Sequence, residues 1–145
     1  MTRRLVFFAL TAITLAVAPQ VLKAADQDTL CPLGNKTLNG NYMSRATGTL
    51  VGVGPNTAVG RIAFDGEGNF VNPYTVSVNG VISTGTEIGT YTVNSDCTGS
   101  EAATNGHQYN FVVAPDGSRF DWISTIPGRV VSGTAIRFES RPEDD

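Results

Sequence analysis

The 145-residue sequence predicts an all-β fold, a small antiparallel up-and-down barrel of about eight strands with little helix after residue 30. Turn-forming clusters recur at short intervals: Asp65-Gly66-Glu67-Gly68-Asn69, Asn79-Gly80, Asn94-Ser95-Asp96, Asn105-Gly106, Pro115-Asp116-Gly117 and Pro127-Gly128. Asn and Gly tolerate the positive φ of tight hairpins, and Pro pre-sets the opening turn residue. The runs between the clusters alternate with period two. Their Thr, Val, Ser and Asn are strand and turn formers, whereas the Ala, Leu, Glu and Lys of helices are scarce. Such spacing fits a β meander in a sandwich or a barrel, and strands joined by hairpins can close and remove their exposed edges.

The chain opens with Arg3 and Arg4, then an apolar run from Leu5 to Ala18 broken only by Thr11 and Thr14. Small residues follow at Ala24 and Ala25. That order matches a secretory signal peptide over residues 1–25, cleaved after Ala24 or Ala25. A membrane-spanning helix needs about 20 apolar residues, and Pro19, Gln20 and Lys23 end this run sooner. The expectation is an exported chain, periplasmic or secreted to the medium, with no membrane attachment after cleavage. The leader holds three of the 10 basic residues, leaving seven scattered cations against 13 acidic groups. Phosphate binders gain affinity by replacing counterions with Lys and Arg, so nucleic acid is a poor partner.

Residues 26–40 form an N-terminal segment ahead of a barrel domain over 41–138. Cys31 and Cys97 both fall in the exported part, where a pair reads first as a disulfide. The bridge would tether the N-terminal segment and stabilise the fold by roughly 4 kcal/mol on the chain-entropy view. Two free thiols are the alternative. A metal site would need further ligands, and His107 is the only histidine, so neither metal nor cofactor is expected.

Strands are expected at 41–52 and 58–64, ahead of the Asp65–Asn69 turn, and at 69–78, where Phe70, Asn72, Tyr74, Val76 and Val78 share a face. A fourth run, 81–93, follows Asn79-Gly80 and contains Gly85 and Gly89, where it would bend or split. The fifth, 97–103, follows Asn94-Ser95-Asp96. In 107–114, His107, Tyr109, Phe111 and Val113 oppose Gln108, Asn110 and Val112. In 119–125, Phe120, Trp122 and Ser124 oppose Arg119, Asp121 and Ile123, and 130–138 completes the set. Residues 139–145 read as a frayed acidic tail.

Several segments are familiar in order: Cys31-Pro32, Leu38-Asn39-Gly40-Asn41-Tyr42, the run Val59 to Asn69, the run Gly89 to Gly99, and Val130-Val131-Ser132-Gly133-Thr134-Ala135. Over residues 31–138 the chain resembles a family of small secreted bacterial proteins with an allene oxide cyclase barrel-like, or calycin-like, fold. The resemblance implies the β-barrel and a bacterial origin, and it brings no catalytic residues.

No catalytic constellation is recognisable, so catalytic residues stay unknown. No Gly-x-Ser-x-Gly elbow is present, and His107, beside Gly106, reads as a solvated or strand-end histidine. The Asp65–Asn69 loop places oxygens at alternate positions but lacks a calcium loop's downstream glutamate, so it reads as a hairpin. Glu87, Glu101, Asp121 and Glu139 lie on strands without paired spacing and read as surface charge. The strongest feature is aromatic. Tyr74, Tyr91, Tyr109, Phe111, Phe120 and Trp122 share one face as candidate ligand-binding residues, although a solid core is the favoured reading of the same face. Three functions stay open. The barrel could carry a small apolar or aromatic ligand anchored by Tyr74, Tyr91 and Tyr109, act as a cofactor-free isomerase or cyclase, or serve as a filled structural or interaction module. The oligomeric state is not fixed by the sequence.

Overall fold

Each turn cluster makes a hairpin. Asn79 and Gly80 both take positive φ (48° and 85°), the two-residue geometry that matches the twist of the strands it joins. Turns at the opposite end share another device: Asp65, Asp96 and Asp116 each accept the backbone N–H two residues on. At Asp65 the Asn69 side chain, together with the N–H groups of Asn69, Glu67 and Gly68, holds the carboxyl down at about 2.

The computed structural model describes residues 29–139. The expected leader over 1–25 and the tail beyond Glu139 lie outside the described residues. Among the described residues there are eight strands: β1 (Asn39–Leu50), β2 (Gly54–Asp65), β3 (Asn69–Val78), β4 (Val81–Val93), β5 (Thr98–Ala103), β6 (Gln108–Val113), β7 (Arg119–Ser124) and β8 (Arg129–Phe138). Each pairs antiparallel with the next, and β8 pairs back to β1 to close a barrel.

β4 runs as one strand through Gly85 and Gly89, without the expected split. The reason lies across the ladder, where Gly85 faces Tyr74, while a Cβ on Gly89 would fall 2.1 Å from the Ala102 carbonyl oxygen of the β5 backbone. A Cβ on Gly85 would fall 2.7 Å from the Tyr74 hydroxyl. The same device recurs where Phe111 covers Gly99 and Trp122 covers Gly133, with a Cβ at 2.2 Å and 2.5 Å from ring carbons. Gly85, Gly99 and Gly133 make room for rings, which then cover the exposed backbone.

One end of the barrel is solid. Phe64 stands at its centre, edge-on to Tyr42, Tyr91 and Phe120 at ring-centroid distances of 5.3, 4.8 and 5.7 Å. Phe70, Phe111, Val93 and Val113 fill in around them, all buried. Each buried ring is worth about 3–5 kcal/mol against truncation. The segment Cys31–Leu38 caps this end through a 3-10 turn at Gly34–Thr37, and Leu38 is fully buried. A buried disulfide, Cys31–Cys97, fastens the cap to the β4–β5 turn. Hydrogen bonds complete the seal: Tyr91 donates to the Leu38 carbonyl (2.8 Å), Tyr42 to the Gly117 carbonyl (2.6 Å) and Arg137 to the Thr37 carbonyl (3.0 Å).

The other end is lopsided. Strands β1–β4 have 10 to 13 residues, whereas β5, β6 and β7 have six each. At about 3.3 Å per residue the extra residues add roughly 13–23 Å of strand to the long wall. β4 pairs with β5 only over Gly89–Val93, so its first eight residues stand clear of that neighbour. The β2–β3 ladder is also interrupted between Gly60↔Tyr74 and Ala63↔Val71, where Pro73 has no N–H to give.

Candidate functional site

The inner face changes character above the aromatic core. A cavity of about 140 Å³ occupies the lopsided half. That is close to the ~150 Å³ of an engineered apolar cavity known to hold benzene. Its long wall is mostly aliphatic, with Leu50, Ala58, Ile62, Val76 and Val78 from β1–β3. The facing side is polar, with Glu87 from β4 and Glu101, Tyr109, Trp122 and Arg129 from β5–β8, together with His107 just before β6.

Alternation places these groups. Glu87 lies on the same side of β4 as buried Tyr91 and Val93, and Glu101 on β5 stands opposite Tyr91 and Tyr109. His107 precedes Tyr109 by two residues and so turns inward with it. The expectation of surface charge at Glu87 and Glu101 is therefore wrong. Their relative exposures are 6% and 8%, because strand register outranks the preference of a lone carboxylate for water. The solvated reading of His107 is likewise corrected: its side chain is 24% exposed and both ring nitrogens are engaged.

Those engagements fix a chain. His107 Nδ1 pairs with Glu87 Oε1, and Arg129 NH1 donates to His107 Nε2 at 2.9 Å. A guanidinium can only donate, so Nε2 accepts and the imidazole carries its proton on Nδ1, directed at Glu87. Glu87 also accepts from the Tyr109 hydroxyl (3.1 Å, at Oε1) and from Asn72 Nδ2 (3.2 Å, at Oε2). Burial raises the Glu87 pKa, but the hydrogen bonds from His107, then Asn72 and Tyr109, outweigh it and hold the carboxyl below its usual range. Glu101 has no such partners. Burial, reinforced by the Glu87 charge, pushes it up to about 8, so it keeps its proton at neutral pH. Two carboxyls on one cavity thus hold opposite protonation states.

Four polar atoms on this cavity are buried without a partner in the chain: Glu101 Oε1, Trp122 Nε1, Arg129 Nε and Asn72 Oδ1. Each orphaned group costs about 1–3 kcal/mol. Among the described residues only Thr37 Oγ1 shares that condition elsewhere.

No family model, curated protein or solved structure matches the chain. The geometry alone therefore carries the functional argument.

All six aromatic candidates turn inward, but the axis divides them. Tyr74, Tyr109 and Trp122 line the cavity, whereas Tyr91, Phe111 and Phe120 belong to the solid end. The Tyr91 hydroxyl is spent on the N-terminal cap and that of Tyr109 on Glu87, so neither is a spare anchor. No cluster of metal-ligating side chains is present among the described residues. The groups that sequence reasoning passed over are Glu87, Glu101, His107 and Arg129. For the first, the signal was its parity with Tyr91.

Proposed function

We propose that this is an exported barrel that binds a small, largely apolar molecule bearing a carbonyl group. The observation that carries the reading is the concentration of unpartnered buried polar atoms on one aliphatic-walled cavity. Trp122 Nε1 and Arg129 Nε can only donate, and the protonated carboxyl of Glu101 can also donate, so the cavity calls for an acceptor. A neutral carbonyl suits it better than an anion, since the Arg129 charge is already answered by Glu87 through His107. Sugars would bring more hydroxyls than the aliphatic wall can satisfy. Export is supported by the leader pattern and by the disulfide, and no described helix is long and apolar enough to cross a membrane. The ordered segments that resemble the allene oxide cyclase barrel-like proteins support a place in that family.

The test compares two probes of one shape, cyclohexanone and methylenecyclohexane, by NMR titration. One added hydrogen bond is worth about 0.5–1.5 kcal/mol, so the ketone should bind roughly 2–10-fold more tightly. Trp122→Phe, which keeps a ring and loses the N–H, should narrow that preference. Equal affinity for ketone and hydrocarbon in the unsubstituted protein would sink the reading.

A further inference from the structure

We propose that the cavity is a catalytic site for a proton shift beside a carbonyl, in which Glu87 carries the proton between two substrate carbons while Glu101 hydrogen-bonds the oxygen. The proposal rests on the carbonyl-binding reading above and adds chemistry to it.

The argument starts from the division of labour among the cavity's groups. A base needs a lone pair that the protein has not fully engaged. Both nitrogens of His107 are committed, Nδ1 to Glu87 and Nε2 to Arg129. Glu87 Oε1 is crowded by His107 and Tyr109, but Oε2 accepts a single bond, from Asn72. A carboxylate oxygen has room for two. Glu87 Oε2 is thus the available base. His107, anchored through Nε2 by Arg129 NH1, is the positioning residue that holds this carboxylate ionised and aimed.

The acid partner must be neutral and must face the place where negative charge develops. Glu101 meets both needs. It stands directly across the ladder from Tyr109, whose hydroxyl bonds Glu87, so the two carboxyls flank one tyrosine. Its Oε1 is buried and unpartnered, as is Arg129 Nε. Two carboxyls kept in different protonation states by burial and by neighbours are the usual arrangement for acid–base work at neutral pH.

The step balances without a cofactor. In a β,γ-unsaturated ketone, Glu87 takes the proton from the carbon between the carbonyl and the double bond. The C–H electron pair moves towards the oxygen, giving a dienolate held by the Glu101 O–H and the Arg129 Nε–H. The Glu87 carboxylic acid then returns its proton to the far carbon. The product is the conjugated ketone, of the same formula, and both carboxyls finish as they began. The substrate class is a small unsaturated or enolisable ketone whose reacting part fits about 140 Å³.

The experiment uses cyclohex-3-enone as substrate, followed by NMR in heavy water, with cyclohexanone binding measured in parallel. The expected result is conversion to cyclohex-2-enone above the buffer rate, with the carried protium at the far carbon, where the buffer reaction would place deuterium. Glu87→Gln should lower conversion at least 100-fold while cyclohexanone still binds. If Glu87→Gln does not fold by circular dichroism, Glu87→Asp carries the test, since retracting the carboxylate by one methylene should cost at least tenfold. Cyclohexanone binding with conversion no faster than buffer, or conversion unchanged in the variants, would overturn the catalytic proposal and leave the binding reading standing. No binding of cyclohexanone at all would bring down both.

Discussion

Glu101 bears a stability cost that sequence statistics would not suggest. Its carboxyl is raised from 4.5 to about 8 in the fold, so the folded state holds a proton that the unfolded chain releases earlier. The contribution to stability is fully present below the unfolded value, is lost progressively as pH rises, and is gone above about 8. Each unit of separation is worth about 1.4 kcal/mol. Glu101→Gln, neutral at every pH and of similar size, should therefore melt higher than the unsubstituted protein at pH 8 and alongside it at pH 4. A melting difference independent of pH would show that Glu101 is not buried as described. Glu87 has the opposite sign: its depressed value makes it stabilising above 4.5, with loss only as pH falls further. At this scale the sequence was half legible. Glu87 shares parity with Tyr91 and Val93, which betrays an inward position. Glu101 shares parity only with Gly99 and Ala103, which are too small to mark a face.

Strands were the most legible level, because period-two alternation records inside and outside directly. The expected runs at 69–78 and 81–93 coincide with β3 and β4. The alternation assigned in 70–78, 107–113 and 119–125 is observed, whereas the outward reading of Glu87 and Glu101 is not. What alternation could not show is which residue stands opposite which. Of the glycines read as places for bending, Gly85 is a ring socket and Gly89 a close approach to the β5 backbone, and cross-strand register is needed to see it. Gly99→Ala and Gly133→Ala should each destabilise the fold by about 1–3 kcal/mol, because a methyl group would press into the rings of Phe111 and Trp122. Denaturant unfolding with midpoints unchanged in both variants would contradict the packing.

Over the whole molecule, closure into a barrel followed from the number of strands and the hairpins between them. The division into a solid end and a hollow end did not, since alternation separates inside from outside but is silent about depth along the axis. That division makes the two ends separable in function. The disulfide and the N-terminal cap sit at the solid end, across the aromatic core from the cavity. Replacing both Cys31 and Cys97 by Ala should lower stability by up to roughly 4 kcal/mol. Below its reduced melting temperature the double variant should still bind cyclohexanone with wild-type affinity. Weakened binding in a variant that is folded would mean the cap reaches the cavity after all.

The unequal walls decide what the protein can measure in a ligand. In the proposed binding mode only the first ring or so of a guest would be enclosed. Beyond it the inner face of β1–β4 continues past Leu50, Val76 and Val78 to Val81, with no strand of β5–β7 opposite. A guest seated by its carbonyl would therefore be inspected closely at its head, while its tail lay along an open trough. Such a molecule is a socket and not a ruler. Lengthening the tail would add contact one methylene at a time and meet no upper limit.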